Sequence, residues 1–113
     1  MSAIPVAPGT ALCRIGQMDD PGAQEYHAGA SASVLVLREG ERVTAYLNRC
    51  PHFQIPLNSR PAHFIMAGKG LLMCAYHSAV FRFSDGACVE GPCAGSQLTQ
   101  VAIRLEGDLV VAA

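Results

Sequence analysis

The sequence predicts an all-β protein of many short antiparallel strands, and three observations carry that expectation. Short apolar runs are separated throughout by Gly, Pro, Asp and Asn, which is the punctuation of strands and turns. No segment sustains a helical apolar period over about 11 residues or more. Several neighbouring runs are joined by hairpin-type turns. The 113 residues fit one domain, taken as 1–113, and with 50% of them hydrophobic the composition suits a real core.

The elements follow in order. Ala11 to Ile15 is a first strand, Asp19-Asp20-Pro21-Gly22 a turn, and Gln24 to His27 a second short strand. Ser33 to Arg38 (SVLVLR) is rich in Val and Leu and reads as a buried strand. Glu39-Gly40-Glu41 turns the chain and Arg42 to Leu47 returns as its hairpin partner, delivering Asn48-Arg49-Cys50-Pro51-His52. Pro51, Pro56 and Pro61 break regular structure between Cys50 and Ala62. Phe64 to Ala67 and Leu71 to Cys74 flank Gly68-Lys69-Gly70 as a hairpin that leads into Cys74-Ala75-Tyr76-His77. Val80 to Phe83 is a strand closed by Ser84-Asp85-Gly86, and Glu90 to Gly95 is a Gly/Pro loop. Gln100 to Leu105 and Leu109 to Ala112 form a last hairpin around Glu106-Gly107-Asp108. A single helical turn fits near 19–22 or 56–60.

Charge excludes some partners. Eight basic residues stand against nine acidic ones, so there is no basic footprint for nucleic acid and no polybasic patch for a membrane. No run reaches the ~20 apolar residues of a spanning helix. Met1 to Ala11 lacks a basic segment and is interrupted by Pro5 and Pro8, unlike a secretory signal. A cytoplasmic protein is expected, in which five cysteines point to metal ligation or free thiols before disulfides.

The chemistry lies in two short pairs, Cys50-Pro51-His52 and Cys74-Ala75-Tyr76-His77, each opening a loop after a strand, with residues 53–73 between them. Two buried cysteines and two satisfied histidines rarely produce both spacings together. A mononuclear zinc site puts Cys pairs before His pairs, at C-x₂₋₄-C and H-x₃₋₅-H, and mixed pairs do not match that order. A [2Fe–2S] core suits them if each Cys faces one iron and each His the other. Replacing two thiolates by neutral imidazoles removes negative charge from the ligand set, so an added electron is easier to hold. Potentials then rise to roughly −150 to +300 mV, against about −400 mV for plant-type ferredoxins.

The two-pair motif resembles that of the Rieske family. Phe81-Arg82-Phe83-Ser84-Asp85-Gly86 resembles the family's aromatic strand and Gly turn after the second His, and Gly91-Pro92-Cys93-Ala94-Gly95 its third, proline-bearing loop. The closing hairpin, Val101 to Val111, fits as well. The resemblance implies a Rieske fold of antiparallel β-sheets, sandwich- or barrel-like, with a small cluster-binding subdomain at about 48–95. It implies one [2Fe–2S] cluster per chain, with Cys50 and Cys74 on the inner iron and His52 and His77 on the outer one, their Nε2 edges forming the electron gateway.

Departures from the family are informative. Respiratory relatives bridge the two loops with a disulfide, but Ile55 and Tyr76 stand at those places here. The same relatives carry a Ser and a Tyr whose hydroxyls donate to cluster sulfurs, where this chain has Ala79 and Phe81. With three potential-raising devices missing, the expected potential is at the low end, about −150 mV. The spacer 53–73 is longer than in bacterial ferredoxins, with the extra length in Asn58 to Gly70, and Ser78 replaces a frequent Gly.

Remaining residues have plainer readings. His27 and His63 are expected at the surface and Cys13 in the core. Cys88 and Cys93 are expected as free thiols, a disulfide being open only in an oxidising setting. Tyr76, Phe81 and Phe83 read as packing residues, with Tyr76 shielding the cluster. The cluster has no open coordination site, and only His27 and His63 remain for the 2-His-1-carboxylate iron of an oxygenase. The resemblance therefore implies a component with no catalytic residues: a ferredoxin passing single electrons from a reductase to a ring-hydroxylating oxygenase through transient contacts, with Phe53 and Tyr76 lining the contact. The alternative is a cluster-bearing small subunit of another multicomponent oxidoreductase, such as a nitrite reductase.

Overall fold

The structure is a computed structural model that describes residues 7–19, 22–27, 33–49, 65–68, 70–74, 79–91 and 95–113. In chain order the strands are β1 (Ala11–Arg14), β2 (Gly22–His27), β3 (Ser33–Glu39), β4 (Arg42–Leu47), β5 (Ile65–Gly68), β6 (Leu71–Met73), β7 (Val80–Arg82), β8 (Cys88–Glu90), β9 (Ile103–Glu106) and β10 (Leu109–Ala112). They form three antiparallel sheets, ordered β1-β10-β9, β2-β3-β4 and β5-β6-β7-β8. The expected all-β architecture is present, and the four-stranded sheet falls inside residues 48–95.

The unbroken apolar run of β3 has a direct cause. Successive side chains of a strand point to opposite faces. Leu35 and Leu37 enter one core with Tyr46, Leu72, Cys74, Ala79, Phe81, Phe83, Cys88 and Leu98. Val34 and Val36 enter a second core with Leu12, Met18, Ala45, Val101 and Val110. The sheet β2-β3-β4 is thus a middle layer with apolar partners on both faces, and Ser33 to Leu37 are all buried. A strand buried on both sides reads as continuous hydrophobic sequence rather than as alternation.

Tyr46 locks the middle layer to the four-stranded sheet. Its ring is fully buried and its hydroxyl donates to the Phe83 carbonyl at 2.7 Å. Thr44 Oγ1 donates to the same carbonyl at 2.8 Å. The turn after β7 fits around the ring. Arg82 and Asp85 pair at 2.6 Å and 3.1 Å, the Ala87 amide donates to Asp85 at 3.0 Å, and Gly86 sits at φ +73°. A Cβ on Gly86 would stand 2.7 Å from Tyr46 Cε1. That position needs glycine for its conformation and for the closeness of the aromatic ring.

Several expectations are corrected. The helical turn lies at Ile15–Gln17 rather than 19–22; the other expected place, 56–60, is outside the described residues. Tertiary bonds fix the turn early. Ile15 N and Gly16 N donate to the Asp108 carbonyl and carboxylate, and the Arg38 guanidinium donates to the Ile15 and Met18 carbonyls at 3.3 Å. Gly22 is no longer a turn residue but pairs with Arg38 to open β2, and a Cβ there would strike the Asp19 backbone. Strand β8 lay inside no expected strand; at three residues it is held by pairing with β7, which local sequence does not encode. The final hairpin starts at Ile103 rather than Gln100, because 99–101 bonds to β4 instead: Leu47 N to Thr99 O at 2.8 Å and Val101 N to Ala45 O at 2.9 Å. Cys13 is half-buried at the margin of the second core, its thiol 3.9 Å from Met18 Sδ. Burial, aided by Asp108, raises its pKa. Phe81 and Phe83 pack in the first core as expected.

Two predictions arise. Gly86→Ala should lower unfolding stability by about 2–3 kcal/mol, because the methyl meets a ring that cannot move away; urea denaturation checks it. Burial, with a smaller push from Asp85 against the Thr44 hydrogen bond, raises the Tyr46 pKa. The neutral phenol is therefore the folded form. Its contribution is complete below the ordinary tyrosine pKa of about 10 and is lost as pH rises through the raised folded value. Tyr46→Phe should cost about 1 kcal/mol at neutral pH and flatten the alkaline loss of stability, read from melts across pH 8 to 11.5, a range set around the free-tyrosine pKa of about 10.

Candidate metal centre

Two loop stems leave one end of the four-stranded sheet, and each is pinned at its base. Strands β6 and β7 pair Leu72 with Phe81 and Met73 with Val80. The ladder ends where Cys74 N donates to Ala79 O at 2.7 Å. That bond ties Cys74 to Ala79, the described residues on either side of 75–78. Cys74 is 1% exposed and lies in the first core with Leu72, Ala79 and Phe81. The Cys74 thiol is thus set at a hydrogen-bonded hairpin end among apolar side chains.

Strand β8 ends beside the start of β7, with Val80 opposite Glu90. The Gly91–Gly95 loop therefore leaves the sheet at the same end as the 75–78 loop. Its stem is closed by Cys88 N donating to Ser96 O at 2.8 Å, by the Ala87–Gln97 bridge, and by Leu98 N donating to Gly86 O at 2.9 Å. Gly91 and Gly95 frame it at φ +96° and +94°. Cys88 is a buried free thiol whose Sγ lies 3.1 Å from the Glu90 carbonyl. Cys88 is thus a free thiol bonded within its own strand, in keeping with the expectation for it; Cys93 is outside the described residues.

The segment that precedes the first Cys/His pair starts from the middle layer. After β4, Asn48 N donates to Ser33 O at 3.0 Å and Arg49 N to Leu47 O at 2.8 Å, turning the chain just before Cys50. Asn48 and Ser33 are the buried polar residues among those described. Sequence reading treated Asn48 only as the start of a loop. A polar residue between an apolar strand and a ligand cysteine was the available signal.

Of the four expected ligands, Cys74 is described; Cys50, His52 and His77 lie outside the described residues, as do Phe53, Ile55, His63, Tyr76 and Ser78. Among the described residues no cluster of three or more metal-binding side chains forms. A cleft of about 340 Å³ is lined by residues that include Glu39, Arg42, Thr44, Phe83 and Leu105. It sits at the Phe83 end of β7, away from Cys74, and among the described residues its lining contains no Cys or His.

The all-β fold places the buried Cys74 at a hydrogen-bonded hairpin end, and the comparisons say what kind of domain has this fold. The Rieske [2Fe–2S] domain family matches residues 10–105, and the chain belongs to that family. Its cofactor is a Rieske-type [2Fe–2S] cluster. No curated protein matches the chain. Among solved structures, the ferredoxin of carbazole 1,9a-dioxygenase from Nocardioides aromaticivorans IC177 is similar with a TM-score of 0.76 at 18% identity, over 95% of this chain and 98% of that one. The terminal oxygenase of carbazole 1,9a-dioxygenase from Novosphingobium sp. KA1 gives 0.74 at 21% identity, over 91% of this chain and 28% of that one. A chain of the reduced complex between oxygenase and ferredoxin in carbazole 1,9a-dioxygenase gives 0.75 at 16% identity, over 91% and 27%. This chain therefore spans about a quarter of the length of several of its structural matches. Among the described residues no helix is long and apolar enough to cross a membrane.

The donor chemistry fits the cluster: a buried thiol stands at a pinned loop that also carries an imidazole residue two positions beyond Ala75. Cys74→Ala should therefore abolish iron and sulfide incorporation, whereas Cys88→Ala should leave both at the level of the unaltered protein. Iron and acid-labile sulfide assays on the purified variants check this.

Proposed function

We propose that the chain is a one-electron carrier whose cluster is held by Cys50, His52, Cys74 and His77, within a subdomain of about 48–95 in a single domain 1–113. The observation that carries this reading is the match to a ferredoxin along almost the whole of both chains. Cys50 and Cys74 would supply thiolate sulfur to one iron, and His52 and His77 imidazole nitrogen to the other. The bound cluster supplies reversible one-electron exchange. The protein's own work is to hold the sulfurs still and dry and to leave the imidazole side accessible. The Cys74–Ala79 bond and the apolar packing around Cys74 serve the first task. Rigid ligands keep the reorganisation between the two oxidation states small.

The partner in this reading is a ring-hydroxylating oxygenase, with a reductase as the electron source. The carbazole dioxygenase ferredoxin supports it, as does the existence of a solved oxygenase–ferredoxin complex. Contacts would be small and transient, below about 1,200 Å², and made by the ends of the ligand loops with Phe53 and Tyr76. The chain would act in the cytoplasm as a component without catalytic residues of its own. Several matches are to oxygenase chains, of which this chain covers about a quarter, so the same fold also occurs within longer proteins.

Ala79 and Phe81 are both buried in the first core, and neither side chain has a hydroxyl to offer a cluster sulfur. The potential is therefore expected near −150 mV. Redox titration of the loaded protein checks it, and a midpoint well above 0 mV contradicts it. His77→Cys restores a negative ligand and should lower the potential or prevent assembly; an unaltered Rieske EPR spectrum in that variant removes His77 from the ligand set.

A further inference from the structure

We propose that Asn48, held by Ser33 and Glu25, is a positioning residue that fixes the first ligand loop and thereby the retention of the cluster. This rests on Cys50 and His52 being ligands, as argued above. The Asn48 side chain is 5% exposed and Ser33 is 6% exposed. Asn48 Nδ2 donates to Ser33 Oγ at 3.0 Å and to Glu25 Oε2 at 3.2 Å. The backbone amide of Asn48 separately donates to the Ser33 carbonyl at 3.0 Å.

The backbone bond alone would continue the β3–β4 ladder. The side-chain bonds add something the sheet does not require. They join three strands, since Glu25 belongs to β2, Ser33 to β3 and Asn48 follows β4. They also bury polar groups, which is costly unless every donor is met. The cost is incurred at one place, two residues before Cys50. From there the chain turns at once, with Arg49 N bonded to Leu47 O. The amide thus fixes the chain at a defined point and direction at residue 48. Residues that orient ligands in this indirect way typically alter metal affinity by about 10–100-fold when removed.

Donor and acceptor can be exchanged, which provides the test. Asn48→Asp sets a carboxylate against Glu25 and breaks the bond. Adding Glu25→Gln supplies an amide donor from the other side and restores it. The measurements are the rate of cluster loss to a chelator, followed by visible absorbance, together with the reduced-state EPR line shape. Asn48→Asp and Asn48→Ala should lose the cluster about tenfold faster than the unaltered protein and broaden the EPR lines. The Asn48→Asp/Glu25→Gln double variant should return to within about twofold of the unaltered rate. Thr44→Val removes a comparable inter-strand hydrogen bond at the Phe83 end and should leave cluster loss unchanged. If Asn48→Asp fails to fold, Ser33→Ala, which removes one acceptor only, should still speed cluster loss. Equal loss from the Asn48 variants, Thr44→Val and the unaltered protein overturns the inference, as does failure of the double variant to recover. An unaltered protein without a Rieske EPR signal instead overturns the ligand assignment itself.

Discussion

Strand β3 has no solvent face, and the rest of the fold is arranged around that constraint. A strand whose Leu35 and Leu37 enter one core while Val34 and Val36 enter another needs a layer on each side. One layer is built from the two ends of the chain, β1 against β10, and the other from the β5–β8 sheet. β4 is fixed by the same demand, since Ala45 and Tyr46 also enter opposite cores. The chain that leaves β4 toward Cys50 therefore starts from a strand packed on both faces.

The second ligand pair has a different but equally confined origin. Cys74 belongs both to a hairpin and to the first core, so its backbone and its side chain are restrained independently. The segments next to the two Cys/His pairs thus leave from two sheets, and the buried Tyr46–Phe83 hydrogen bond couples those sheets. Electron transfer favours such construction, because a donor set that does not move contributes little to the barrier. The cost appears elsewhere, in a glycine that only one conformation and one neighbour will accept at position 86.

Most of the fold was legible in the sequence, because alternation and turn residues are local. β4 was visible in full, β3 to within one residue, and β5 and β6 to within a residue at each end. What escaped was set by distant partners. β8 is a strand because β7 lies beside it, and 99–101 leaves the last hairpin because β4 takes its hydrogen bonds. The helical turn moved to Ile15–Gln17 because Asp108 and Arg38, far along the chain, supply its bonds. The two Cys/His pairs stand out in the sequence by spacing and residue chemistry, and of their four residues Cys74 alone is among the described ones; the Asn48–Ser33–Glu25 cluster was not legible, since nothing in a sequence places residues 25, 33 and 48 side by side.

The pairing of β1 with β10 has a consequence for how such a unit is used. Gly9 N donates to Ala112 O and Ala112 N to Thr10 O, so incoming and outgoing polypeptide lie as neighbours on the layer that does not carry Cys74. A module with adjoining ends can be spliced into a longer polypeptide as a cassette without threading anything past its prosthetic group. The same architecture is thereby suited to a free-standing shuttle and to a built-in relay alike.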